Sequence, residues 1–97
     1  MAIEVIVRRK IKSDNPEELI PLVNQMRSLA INQAGYISGR TLKSISKPGD
    51  YMVISQWQTK ENWENWFNSK ERRDIQYKID SLIGERTFYD VYEPLAH

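Results

Sequence analysis

Residues 51–67 read YMVISQWQTKENWENWF. An extended apolar run from Tyr51 to Trp57 hands over directly to a helix that opens with Trp63 and Trp66, so all 3 tryptophans of the chain fall at one strand-to-helix junction. Indole rings from two different elements brought together in this way can wall a pocket between a sheet and a helix. They can equally form an aromatic corner packed solid.

Downstream of Thr59 the apolar positions do not keep one phase. At about 100° per residue, Trp63, Trp66 and Phe67 cluster on one side, whereas Ile75, Ile79, Leu82 and Ile83 point roughly 150° away. One straight helix would expose one group. The pattern therefore predicts an interruption near Asn68 to Lys70, with Ser69 as N-cap of a second helix that runs to about Ile83 and ends at Gly84. FYDVYE, Phe88 to Glu93, is then a last strand, stopped by Pro94.

Upstream, KPGD at 47–50 supplies a turn in which Pro48 pre-sets φ and Gly49 can take a positive one. It joins a strand from Tyr36 to Ser44 to the strand from Tyr51 to Trp57, and strands joined so tightly are antiparallel. SDNPEEL is a helix start: Asp14 or Asn15 can accept from free amides, Pro16 needs no partner, and Glu17 and Glu18 complement the positive helix end. Leu19, Leu22, Val23, Met26, Leu29 and Ala30 recur at helical spacing, and Gly35 suits a helix end. Pro21 predicts a bend and not a break. At the N-terminus, Ile3, Val5, Val7 and Ile11 alternate with Glu4, Arg8 and Lys10, the period of a strand.

The order βαββαβ with a split second helix predicts an α+β, ferredoxin-like domain over residues 1–97: a four-stranded antiparallel sheet with its helices on one face. Ile6 and the Tyr and Val positions of the last strand put apolar groups on both sides of that sheet. The uncovered face needs a cover, and a second copy of the chain is the simplest one, so a homodimer through sheet faces is expected.

Composition narrows the function classes. A chain of 97 residues and 11.5 kDa is one domain, expected to expose about 5,800 Å² when folded. Basic and acidic side chains number 14 and 13, which gives no electrostatic reason to propose nucleic acid. No apolar run approaches the roughly 20 residues of a spanning helix, and MAIEVIVRRKIK alternates where a signal peptide would be continuously apolar. No membrane partner is expected. The chain has 0 cysteines, which removes disulfides and thiolate chemistry and fits a cytoplasmic location.

ISQWQTKENWENWFNSKERR resembles the strand-to-helix signature of the antibiotic biosynthesis monooxygenase family, small domains that dimerise through their sheets as a dimeric α/β barrel. NPEELIPLVNQMRSLAINQAGYISGRTL is similar to that family's first helix and its glycine-aromatic entry into strand two. In the family's haem-degrading branch, the resemblance places the haem-side tryptophan at Trp66 but the iron-ligand histidine at Gln76, and the first-strand asparagine at Val7 or Arg8; haem degradation is disfavoured. In its cofactor-independent, quinone-forming branch, the strand-end tryptophan is Trp57, while asparagine, tyrosine and arginine positions fall at Val53, Trp63 and Tyr77. The resemblance thus implies a cofactor-independent monooxygenase acting on a small aromatic or quinol-type substrate. Pocket candidates are Trp57, Trp66, Met52, Trp63 and Tyr77, with neither cofactor nor metal. The alternative is a non-catalytic dimeric domain that binds a small apolar or aromatic ligand or serves as a structural module.

The remaining polar groups read as structural. Glu61, Glu64, Glu71, Arg72, Arg73 and Asp74 follow no ligand spacing and predict a solvated face. Arg8, Arg9 and Lys10 read as edge protection or an anion contact. His97 is terminal. No phosphate loop, His-Glu cluster or serine with a histidine base is present. Tyr36, Tyr77, Tyr89 and Tyr92 can donate hydrogen bonds in a pocket or pack as core and interface aromatics.

Overall fold

Alternation in the strands and the phase break in the helices are both realised. The computed structural model describes residues 2–11 and 16–95, and its elements run β1 (Ile3–Lys10), α1 (Pro16–Ala30), β2 (Tyr36–Lys43), β3 (Asp50–Trp57), α2 (Lys60–Phe67), α3 (Lys70–Ile83) and β4 (Phe88–Tyr92). The four strands form one antiparallel sheet in the order β2-β3-β1-β4. This is the ferredoxin-like arrangement. Asp14, Asn15 and His97 lie outside the described residues.

The helix break falls where the phases require it. Thr59 caps α2, its hydroxyl accepting from Asn62 N at 3.0 Å, and Ser69 caps α3 by accepting from Arg72 N at 3.2 Å. Gly84 ends α3 in the left-handed region at φ 65, and Gly49 takes φ 92 in the β2–β3 turn. One end differs. Helix α1 runs unbroken through Pro21 but stops at Ala30, and short turn hydrogen bonds, Asn32 N to Leu29 O and Gln33 N to Ala30 O, carry the chain to Gly35.

Two clusters make the core on the helix side of the sheet. Ile3, Val5, Trp57 and Trp66 form one; Leu19, Ile75, Ile79 and Ile83 form the other, with Met26 and Leu29 of α1 packed against both. The opposed helix phases are thus buried separately, α2 over the first cluster and α3 over the second, although Leu82, expected with Ile83, is exposed. On the other sheet face Ile6 pairs with Ile54, and Met52 lies between Arg8 and Leu42. Phe88 and Tyr92 of β4 lie on that face too and are exposed. Arg8 and Asp90 form an ion pair among them at 2.6 Å.

Two readings of charge are corrected here. Strand β1 is central, so Arg8 to Lys10 cannot protect an edge, and Arg9 shares parity with Ile3, Val5 and Val7, which turns it under the helices. It is only 8% exposed. Arg72, expected on a solvated face, is 7% exposed.

Candidate functional site

Between the inner sheet face and helices α1 and α2 lies a chamber of about 90 Å³, several times the roughly 10–15 Å³ that one water requires. Its walls are built by parity and phase. Val7 and Arg9 come from the inward positions of β1, Val53, Ser55 and Trp57 from those of β3, and Trp63, Trp66 and Phe67 from the inward arc of α2. A wider cleft of about 380 Å³ adjoins it, sharing Arg9, Val23, Arg27, Thr41 and Val53. Together they have the scale of a small-molecule site.

The aromatic wall is ordered by ring contacts. Tyr36 meets Trp57 edge-on with centroids 5.3 Å apart, and the Trp57 indole donates to Ser55 Oγ at 3.1 Å. Trp63 packs on Phe67 at 4.9 Å, and Phe67 meets Tyr89 edge-on at 5.0 Å. Gly39 permits the close approach of Tyr36: a Cβ there would stand 2.5 Å from the tyrosine hydroxyl.

The polar end is built from two buried guanidiniums. Arg72 Nε donates to Phe67 O at 2.7 Å and Nη1 to Tyr89 Oη at 3.0 Å, while its guanidinium carbon sits 4.3 Å from the centre of the Phe67 ring. Arg9 Nη2 donates to Gln76 Oε1 at 3.0 Å; Gln76 Nε2 in turn donates to Asp80 Oδ1 at 2.8 Å and to Thr87 Oγ1 at 3.0 Å. Arg9 Nε is buried with no hydrogen-bond partner among the described residues. Burial lowers the Arg9 pKa from its ordinary value; Tyr89 and Asp80 offset part of the shift, and Arg72 adds to it.

Of the residues expected at a pocket, Trp57, Trp63 and Trp66 line this chamber together. Met52 and Tyr77 do not. Met52 is five residues from Trp57 and so points to the opposite sheet face, where it lines a surface groove with Arg8, Leu42 and Phe88. Tyr77 stands on the outer side of α3 and is 75% exposed. Gln76, at the iron-ligand position of the haem-degrading branch, spends both ends of its amide on Arg9, Asp80 and Thr87, so the residues here do not fit an axially ligated haem. Among the described residues no group of three or more His, Cys, Asp or Glu could hold a metal ion. Sequence reading has Tyr89 among the possible pocket donors and Arg9 in a run that reads as edge protection or an anion contact, but it singles out neither for this site and misses Arg72 altogether. The inward parity of Arg9 and the helical phase of Arg72, seven residues before Ile79, were the available signals.

Residues 2–78 match the sequence profile of the family described as antibiotic biosynthesis monooxygenase. Comparison with curated proteins finds no match. Among solved structures, the chain is similar to SnoaB, a cofactor-independent oxygenase from Streptomyces nogalater, with TM-score 0.85 and 11% identity over 99% of this chain and 95% of that one. A protein from Mycobacterium tuberculosis gives TM-score 0.86 at 16% identity, covering 100% and 98% of the two chains. A structure named as an antibiotic biosynthesis monooxygenase gives 0.85 at 12% identity, covering 97% and 99%.

Proposed function

The chain belongs to the antibiotic biosynthesis monooxygenase family, and we propose on that footing that it is a cofactor-independent monooxygenase of a small aromatic or quinol-type substrate. The observation that carries the reading is the chamber walled by Trp57, Trp63 and Trp66 between sheet and helices. A flat electron-rich ring stacks in such a space, shielded from bulk water, and its own anion donates electrons to O₂. For an activated CH₂ between two rings, one oxygen atom becomes the new carbonyl and the other leaves as water with the two hydrogens, so dioxygen alone balances the reaction. The protein's part is binding, desolvation and hydrogen-bond donation.

A homodimer through the uncovered sheet face completes the proposal. The chain exposes 6901 Å², about a fifth above the size scaling for a monomer of this mass, and Ile6, Met52, Ile54 and Phe88 lie on that face. Among the described residues no helix is long and apolar enough to cross a membrane; together with the lack of cysteine this supports a cytoplasmic location. The alternative, a non-catalytic dimeric ligand-binding domain, draws on Val53, Trp63 and Tyr77 standing where the quinone-forming branch has its polar residues. Oxygen uptake by the purified protein with a panel of anthrones and hydroquinones separates the two. Uptake above the uncatalysed rate is expected, and none across the panel favours the binding domain.

A further inference from the structure

The chamber carries a positive charge that the described residues neutralise only in part. Arg9, Arg27 and Arg72 line it, and among the described residues no Asp or Glu does, in a chain whose formal net charge is only +1. Arg9 and Arg72 are buried, yet the partners found for them are neutral: an amide, a phenol and a backbone carbonyl. Asp80 makes no direct hydrogen bond to Arg9; it stands behind Gln76 and its charge offsets only part of the burial. Taking a guanidinium out of water costs several kcal/mol unless an opposite charge or full hydrogen bonding compensates, and for Arg9 the compensation is partial, with Asp80 one side chain removed and Nε unmatched. A buried water would satisfy a donor but supplies no charge. The arginines also rule against a cationic guest, which the indole wall by itself would suit.

We propose that the ligand of this chamber is an aromatic monoanion, a planar ring system bearing one carboxylate or ionised phenol. Its rings lie against Trp57, Trp63 and Trp66, and its charged oxygen is held at the Arg9–Arg72–Tyr89 end. The exposed Arg27 at the chamber's rim favours the approach of an anion over that of a neutral molecule. This rests on the reading of the chamber as a ligand pocket and adds to it the charge of the ligand and the two residues that read it.

The test compares matched probes on the wild-type protein by quenching of tryptophan fluorescence: 2-naphthoate, 2-naphthol above its pKa, and the neutral isostere 2-naphthamide. The two anions should bind at least about tenfold tighter than the amide, as hydrogen bonds to charged groups imply. Arg9→Gln and Arg72→Gln, checked for folding by circular dichroism, should each weaken naphthoate about tenfold while leaving the amide within about twofold. Should either variant fail to fold, the wild-type comparison still decides. Equal affinity for naphthoate and naphthamide overturns the charge assignment and leaves the pocket standing. Failure of all three probes to bind overturns both.

Discussion

Replacing Gln76 by leucine keeps the side chain's bulk and removes its polar end. Gln76 Oε1 is the acceptor for Arg9 Nη2, and Arg9 Nε is already unmatched, so Gln76→Leu leaves a buried guanidinium with a second idle donor. A hydrogen bond to a charged group contributes about 1.5–3 kcal/mol, and a buried donor left alone costs about 1–3 kcal/mol. These are two descriptions of much the same loss, which sets the expected destabilisation at about 2–3 kcal/mol. The far end is not orphaned, because Thr87 Oγ1 still reaches Asp80 Oδ1 at 3.3 Å. Adding Arg9→Met then removes the charge itself. Apolar groups of similar size in place of a buried polar pair are about neutral or stabilising, so the double variant should recover the whole loss and stand level with or above wild type. Thermal unfolding of the four proteins closes the cycle; at about 4–8 °C per kcal/mol, Gln76→Leu should melt roughly 10–20 °C below the double variant. A double variant less stable than Gln76→Leu alone would refute the claim that Arg9 burdens the ligand-free fold.

Trp66→Ala should cost about 3 kcal/mol in urea unfolding, the low end for a large core deletion, because the ring packs on Ile3, Val5 and Trp57 but also borders the chamber. Affinity for aromatic dyes should fall with it; unchanged dye binding with a full core penalty would argue for a solid corner. Light scattering should give twice 11.5 kDa for the wild type and the single mass for Ile54→Lys on the uncovered face, and a wild-type monomer at micromolar concentration removes the dimer. Gly84→Ala should cost about 1 kcal/mol for backbone reasons alone, since a Cβ there meets nothing within 4 Å at φ +65; a neutral effect would mean the α3 terminus relaxes.

Strand alternation, the capping residues and the phase conflict after Thr59 were enough to place every element, because each is a local signal with one geometric solution. The junction tryptophans were legible for the same reason. The charged half of the site was not. Arg72 belongs to the run ERRD, and such a run ordinarily solvates; only its position one turn before Ile75 and Gln76 placed it in the buried arc. Arg9 has two basic neighbours that do face outward, and parity alone separates it from Arg8 and Lys10. Met52 shows the reverse lapse, a residue grouped with Trp57 by proximity in sequence although an odd spacing along a strand puts the two on opposite faces.

The break at Asn68–Ser69 has an evolutionary consequence. A continuous helix would tie the residues that face a ligand to those that hold the domain together, since turning one stripe inward turns the other out. Splitting it gives α2 the tryptophans of the chamber and gives α3 the isoleucines that pack on Leu19. Substitutions of the α2 aromatics can then reshape what the protein accommodates while the cluster of Leu19, Ile75, Ile79 and Ile83 goes on being selected for packing, with Arg72 at the start of α3 the link between the two. A short helix with its own caps is, in that sense, a separately heritable wall.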